Sequence, residues 1–117
     1  MKLEELKREN GTRTVMFDCP GCGFLHQVHV AAPSGPVWGW NGSMERPTFT
    51  PSVLVTWPQG EPPVTAENFE EYKRNPWPQT TVEKRCHSFV TDGRIQFLGD
   101  CTHALAGQTV DLPEIEP

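Results

Sequence analysis

The stretch RCHSFVTDGRIQFLGDCTH, residues 85–103, predicts a β-hairpin with a Cys/His pair near each end. Its centre, Asp92-Gly93, is a turn signal, because an Asp-Gly pair accommodates the positive φ angles of a two-residue type I′ turn. Runs rich in Phe, Val and Ile flank this turn, as expected for two strands. Similar short apolar runs between turn residues recur along the chain and predict a mostly β fold with one or two short helices, built from β-hairpins.

The alternation of side chains along this hairpin separates its polar residues onto two faces. Counting outward from the turn places Cys86 opposite Gly99, on the same face as Cys101. His87 points to the other face, where Asp100 is its diagonal neighbour. The hairpin is therefore expected to present thiols on one side and a histidine with a carboxylate on the other.

Length and composition predict one small domain spanning residues 1–117. Hydrophobic residues make up 36% of the chain, and 12 Pro and 10 Gly interrupt regular structure, so the core is expected to be modest and to need further stabilisation. Residues 1–12 are highly charged and are expected to be a frayed or helical segment. Thr65 is expected to cap a short helix, and residues 58–63 are expected to form a turn or linker.

The charge pattern argues against several partner classes. The formal net charge is −5 and no long basic run occurs, so nucleic-acid binding is not expected, and a zinc ribbon that binds nucleic acid is the least favoured hypothesis. No apolar run reaches membrane-spanning length and the N-terminal residues do not resemble a signal peptide, so a cytoplasmic protein of a bacterial host is expected, without a membrane partner. The expected partner is another protein, and the sequence leaves the oligomeric state open.

The segment CPGCG, residues 19–23, predicts a zinc site, because two thiolates on one tight turn can bind the same tetrahedral ion. In a reducing compartment, metal binding is a better explanation of four cysteines than disulfides. His26 is expected to be a core or outer-shell residue rather than a ligand. The predicted Zn²⁺ ligands are Cys19, Cys22, Cys86 and, as the fourth, Cys101 or His103.

Four motifs in order, CPGCG, WNGSMERPTFTPS, CHSFVTDGRIQFL and DCTHALAGQTV, resemble a small family of phage and bacterial proteins, domain of unknown function 6527. The resemblance covers residues 19–112. Because some relatives lie beside bacterial ubiquitin-like conjugation genes, it implies a peptidase that processes a ubiquitin-like protein precursor or conjugate. Relatives carry Ser at the position of Cys101. The resemblance therefore implies that Cys101 is not an obligatory ligand and favours His103 as the fourth.

A hydrolase needs a nucleophile, a base that activates it and a group that orients the base. His87 and His103 are the candidate bases, since histidine exchanges protons near neutral pH. The candidate nucleophiles are Ser88, Ser52 and Cys101, and the candidate acids are Glu45 and Asp100. The residues selected as catalytic are His87, Ser88, His103 and Glu45.

Three functional hypotheses follow from these residues. In the first, zinc is structural and a Ser or Cys, a His and an acid hydrolyse a peptide or isopeptide bond. In the second, zinc has three protein ligands and activates a water, with Glu45 as base. In the third, the protein is a non-catalytic, zinc-stabilised protein-binding module that grips its partner with the Trp-rich loop after residue 37.

Overall fold

The computed structural model describes residues 1–115 and confirms a mostly β fold made of antiparallel hairpins. Its strands form a three-stranded sheet (β1-β2-β3), a two-stranded ribbon (β4-β5) and a four-stranded sheet (β6-β7-β8-β9). The elements are β1 (Glu4–Lys7), β2 (Arg13–Asp18), β3 (Leu25–Ala31), β4 (Gly39–Trp40), β5 (Phe49–Thr50), β6 (Val53–Glu61), α1 (Phe69–Arg74), β7 (Thr80–Thr91), β8 (Arg94–Phe97) and β9 (Thr109–Asp111).

The charged N-terminal segment corrects the expectation of a frayed or helical start. Residues Glu4–Lys7 form strand β1, which pairs antiparallel with β2. Leu3 is fully buried, and the Arg13 guanidinium donates to the Glu5 carboxylate over 2.6 Å. A short isolated helix is marginal in water, whereas pairing with β2 satisfies the backbone and buries Leu3.

Strands β2 and β3 form the first predicted hairpin, with the Cys-Pro-Gly-Cys segment at its turn. The turn is closed by two backbone hydrogen bonds, from Cys19 N–H to Phe24 O (3.1 Å) and from Gly23 N–H to Cys19 O (2.8 Å). Gly23 has a φ of 80°, which favours glycine at this position. The hairpin thus presents two thiols from one turn.

Strands β6 and β7 are longer than the sequence predicted. Residues 58–61, expected to belong to a linker, continue β6 and pair with the start of β7 as far as Glu61 opposite Thr80. Pro58 fits here because β6 is the outer strand of its sheet, where a missing N–H does not interrupt a second ladder. Helix α1 begins at Phe69 with Asn68 as its N-cap, and Thr65 instead donates its backbone N–H to the Asn68 side chain.

The hairpin of β7 and β8 has the predicted turn. Asp92 and Gly93 have φ angles of 51° and 79°, both in the left-handed region that a type I′ turn requires. Thr91 pairs with Arg94 across it, and the register counted from the sequence holds as far as Ser88 opposite Phe97. Beyond Phe97 the chain turns, and Thr102 rather than Asp100 donates its N–H to Arg85 O, so the expected pair of Cys86 with Gly99 does not form part of the ladder. The predicted last strand is present as β9, on the outer side of β8.

One buried cluster joins side chains from all three sheets. It includes three cysteines, which places the thiols at the boundary of the core. No helix among residues 1–115 is long and apolar enough to cross a membrane. The core members are Leu3, Val15, Phe17, Cys19, Val28, Phe49, Val53, Cys86, Val90, Ile95, Phe97, Cys101 and Leu112.

Candidate active site and metal centre

A cluster of metal-ligating side chains lies where the first hairpin packs against β7. Cys19 and Cys22 come from the β2–β3 turn, His26 from the start of β3, and Cys86 from the middle of β7. One ligand atom of each lies within 4.8 Å of the others. The tertiary fold therefore brings together three thiols and one imidazole from two separate hairpins.

The donor atoms fit a four-coordinate metal ion. The Sγ atoms of Cys19 and Cys86 are 3.9 Å apart, and two thiolates on a tetrahedral ion at about 2.3 Å, as for zinc, lie about 3.8 Å apart. His26 is 2% exposed and its Nε2 has no hydrogen-bond partner among residues 1–115. A buried ring nitrogen without a partner is costly, and a bound metal ion would satisfy it.

The proximity of the thiols changes their acidity. The pKa of Cys19 is lowered to about 4, chiefly by a hydrogen bond from the Cys86 thiol. The same hydrogen bond, followed by burial, raises the pKa of Cys86. Burial and then the Cys19 charge raise the pKa of Cys22 to about 12. The cluster therefore holds one thiolate readily, and further thiolates need a cation to offset their repulsion.

The predicted fourth ligands, Cys101 and His103, lie beside this cluster. Their ligand atoms lie within 4.8 Å of the Cys86 thiol and form a second group with it, which does not include Cys19, Cys22 or His26. The His103 ring packs against Phe97 with ring centroids 4.4 Å apart, and its Nδ1 accepts the Leu105 N–H over 3.2 Å. The structure thus brings His26, expected to be a core or outer-shell residue, into the set with Cys19 and Cys22. The sequence signal for it was its position four residues after Cys22.

On the opposite face of β7, His87 connects a serine and an aspartate. Its Nε2 is 2.9 Å from the Ser52 hydroxyl oxygen, and its Nδ1 is 3.2 Å from the Asp100 carboxylate. The expected proximity of His87 and Asp100 is confirmed, although β8 ends at Phe97 and Asp100 lies in the turn that follows it. The three side chains have the connectivity of nucleophile, base and orienting acid.

The sheet and the following turn position these three residues. Ser52 directly precedes β6, and in the β6–β7 register Leu54 lies opposite His87. The His87 peptide is bound on its other side by Cys101, whose Sγ accepts the His87 N–H and contacts its carbonyl, each at 3.2 Å. This contact holds the Asp100 turn beside the imidazole ring.

The electrostatics of the triad define the histidine tautomer. A carboxylate can only accept a hydrogen bond, so Nδ1 of neutral His87 carries the proton and donates it to Asp100. Nε2 then has a free lone pair and accepts the Ser52 hydroxyl proton. The Arg85 guanidinium lies 3.7 Å from the same Asp100 oxygen, so a cationic side chain adjoins the acid of this group.

The other residues selected as catalytic from the sequence lie elsewhere. Ser88 is buried on the Cys86 face, and its hydroxyl has no hydrogen-bond partner within the described part of the chain. Glu45 lines a polar cavity of about 470 Å³ with Asp92 and Arg94, in a different part of the protein. His103 lies beside the cluster of metal-ligating side chains. Within residues 1–115, His87 is thus the one member of that selection joined to a serine and an acid, both of which were weighed as candidates.

The Trp-rich loop packs against the protein. Trp38 and Trp40 are both partly buried against the core cluster, and both indole N–H groups donate to backbone carbonyls. Asn41 further stabilises the loop through three side-chain hydrogen bonds, to Ser43, Arg46 and Thr48. These contacts make the loop an ordered extension of the small core.

Comparison with known proteins adds one match. No curated protein and no solved structure matches the chain. A family model, described as bacterial ubiquitination-like system serine protease (BubE), matches residues 2–98, a segment that contains both Ser52 and His87. A serine protease requires a serine beside a base, and that is the arrangement on the outer face of β7. With most of its length matched, the chain belongs to the BubE family of bacterial ubiquitination-like system serine proteases.

Proposed function

We propose that the protein is a serine peptidase in which Ser52 is the nucleophile, His87 the general base and acid, and Asp100 the residue that orients His87. The observation that carries this proposal is the pair of hydrogen bonds at His87, 2.9 Å to Ser52 and 3.2 Å to Asp100. Membership in the BubE family supports the same reaction class.

The chemistry follows from these contacts. His87 Nε2 takes the proton of the Ser52 hydroxyl as the oxygen attacks the carbonyl carbon of the scissile bond. The imidazolium then donates that proton to the leaving nitrogen, and the C–N bond breaks to leave an acyl-enzyme ester on Ser52. Water, deprotonated by His87, hydrolyses the ester. Asp100 keeps Nδ1 protonated and stabilises the positive ring during both transfers.

The metal site has a structural role in this proposal. Zinc is the ion that the donor set, three thiols and one imidazole, favours. When bound, it would link the first hairpin to β7 and stabilise a small core. The ligands lie on the face of β7 opposite His87, and four protein donors would fill a tetrahedral ion. This arrangement favours the structural role over the hypothesis in which the metal activates water with Glu45 as base.

We propose further that the substrate is a protein of the ubiquitin-like class, either a precursor with a C-terminal extension or a conjugate. Two observations support this substrate class. The family's description places its members in a ubiquitination-like system, and the triad lies on a partly exposed sheet face, where His87 is 25% and Asp100 41% exposed. An exposed site of this kind can be reached by a flexible segment of a folded protein.

The test combines a serine-reactive fluorophosphonate probe with site-directed variants. The wild-type protein, Ser52→Ala and Ser88→Ala are incubated with the probe, and the labelled residue is identified by peptide mass spectrometry. Cleavage of a ubiquitin-like precursor carrying a C-terminal extension is followed in parallel. We expect labelling on Ser52 and cleavage by wild type and Ser88→Ala, and neither by Ser52→Ala.

Other outcomes would reject specific parts of the proposal. Labelling or activity that is lost in Ser88→Ala and retained in Ser52→Ala would identify Ser88 as the nucleophile. A folded wild-type protein that neither reacts with the probe nor cleaves the precursor, but binds it, would favour the non-catalytic binding module.

A further inference from the structure

The carbonyl of Ser52 is held by a tryptophan from the preceding loop. The Trp38 indole Nε1–H donates to Ser52 O over 3.0 Å. The Trp38 backbone N–H in turn donates to His29 O, on β3, over 2.8 Å. One residue therefore connects the proposed nucleophile to the three-stranded sheet.

This connection matters because Ser52 lies outside the regular ladders. It follows β5, which ends at Thr50, and precedes β6, which begins at Val53. Its backbone orientation determines where Oγ points, and Oγ must stay within hydrogen-bond distance of His87 Nε2. A displacement of about 1 Å in such a group can cost about a hundredfold in rate.

The indole is well suited to fix this backbone. Trp38 is partly buried and packs against the core cluster. Its ring therefore has little freedom to move, and its N–H is directed at the Ser52 carbonyl. The side chain touches the nucleophile's main chain and leaves Oγ free for His87.

We infer that Trp38 is a positioning residue of the triad, which holds the Ser52 backbone so that its hydroxyl points at His87. This inference rests on the proposed function, since it assigns Trp38 a role in Ser52 reactivity. It predicts that the indole N–H contributes to the rate of attack, beyond the contribution of the ring to packing.

The loop contains a matched control. Trp40 is also partly buried, and its indole N–H also donates to a backbone carbonyl, that of Ser43 at 3.2 Å. Ser43 lies within the same loop. Among residues 1–115, it forms no hydrogen bond with His87 or Asp100. Trp38→Phe and Trp40→Phe therefore remove the same group from two similar sites, one of them at the nucleophile.

The experiment compares the second-order rate of fluorophosphonate labelling of Ser52 in wild type, Trp38→Phe and Trp40→Phe, together with the melting temperature of each. We expect Trp38→Phe to label about tenfold more slowly and Trp40→Phe at the wild-type rate, with similar melting temperatures for the two variants. On a cleavable precursor, kcat should fall in Trp38→Phe while KM stays unchanged.

Equal labelling rates in the two variants would overturn the inference, even with wild-type Ser52 reactive. A slower rate in Trp38→Phe that merely follows a lower melting temperature than that of Trp40→Phe would also overturn it. Failure of wild-type Ser52 to label at all is a different result, because it rejects the proposed function itself and the role of Trp38 with it.

Discussion

Cys86 and His87 are consecutive residues of β7 whose side chains lie on opposite faces of the sheet: Cys86 is 1% exposed in the metal cluster, whereas His87 reaches Ser52 on the outer face. One strand thus supplies a candidate metal ligand and the central residue of the proposed triad. Because adjacent strand residues share a backbone, the position of the imidazole depends on what anchors the thiol. The predicted metal site and the proposed active site are mechanically connected through this strand.

The orienting role proposed for Asp100 predicts that Asp100→Asn lowers kcat strongly. An amide can donate its own N–H to Nδ1 and so favours the tautomer in which Nε2 is protonated and unable to accept the Ser52 proton. We expect kcat to fall by on the order of a thousandfold with little change in melting temperature, since Asp100 is 41% exposed. Steady-state kinetics and thermal melting measure the two effects. If Asp100→Asn has the same kcat as wild type, Asp100 is not the residue that orients His87.

The ligand set predicts different effects for His26 and Cys101. His26→Ala removes a member of the set formed with Cys19 and Cys22, whereas Cys101 contacts the His87 peptide. Elemental analysis of purified variants should show metal lost or reduced in His26→Ala and about one equivalent retained in Cys101→Ser. The reverse pattern would identify Cys101 as the fourth ligand. Wild type and Ser88→Ala serve as full-occupancy controls.

Metal affinity should increase with pH. In the metal-free protein Cys19, with a pKa of about 4, is a thiolate at neutral pH, whereas Cys22, with a pKa of about 12, and Cys86 are protonated. Binding as thiolates then releases about two protons per ion, and mass action weakens binding as pH falls. Calorimetric titration of chelator-treated protein in buffers of different ionisation enthalpy counts these protons. An affinity equal at pH 6 and pH 8 would contradict the assignment.

The turn that carries Cys19 and Cys22 leaves little room at Gly21, so one added methyl group there should lower the stability of the protein. A Cβ at Gly21 would overlap the His103 ring, whereas a Cβ at Gly99 would meet no atom of residues 1–115 within 4 Å. Gly21→Ala must displace that ring or the turn, so we expect a loss of about 1–3 kcal/mol in the free energy of unfolding. Gly99→Ala should stay within about 0.5 kcal/mol of wild type. Denaturant unfolding measures the free energy of unfolding of both variants. Equal values would show that the His103 ring can move away from residue 21 without loss of stability.

Much of the local architecture was predictable because it depends on short-range rules. Asp92-Gly93 specifies its turn through backbone sterics, and the period of two along the flanking strands then places Cys86 and His87 on opposite faces. The same count placed His87 near Asp100, and the two side chains are in contact, but the turn after β8 makes this contact rather than a continued strand pair. The β1 strand was not predictable in this way, since its formation depends on a free edge of β2 rather than on its own charged residues.

The sequence by itself determined the mostly β class, the Cys-Pro-Gly-Cys turn and the β7–β8 hairpin, since each follows from local sterics and side-chain alternation. The tertiary structure alone decided two long-range choices. It placed the Ser52 hydroxyl, out of three candidate nucleophiles, within hydrogen-bond distance of the His87 ring, through the β6–β7 register across a separation of 35 residues. It also placed His26 beside Cys86 by packing one hairpin on another. Pairing between distant strands is set by the burial of the shared core, which no single segment encodes.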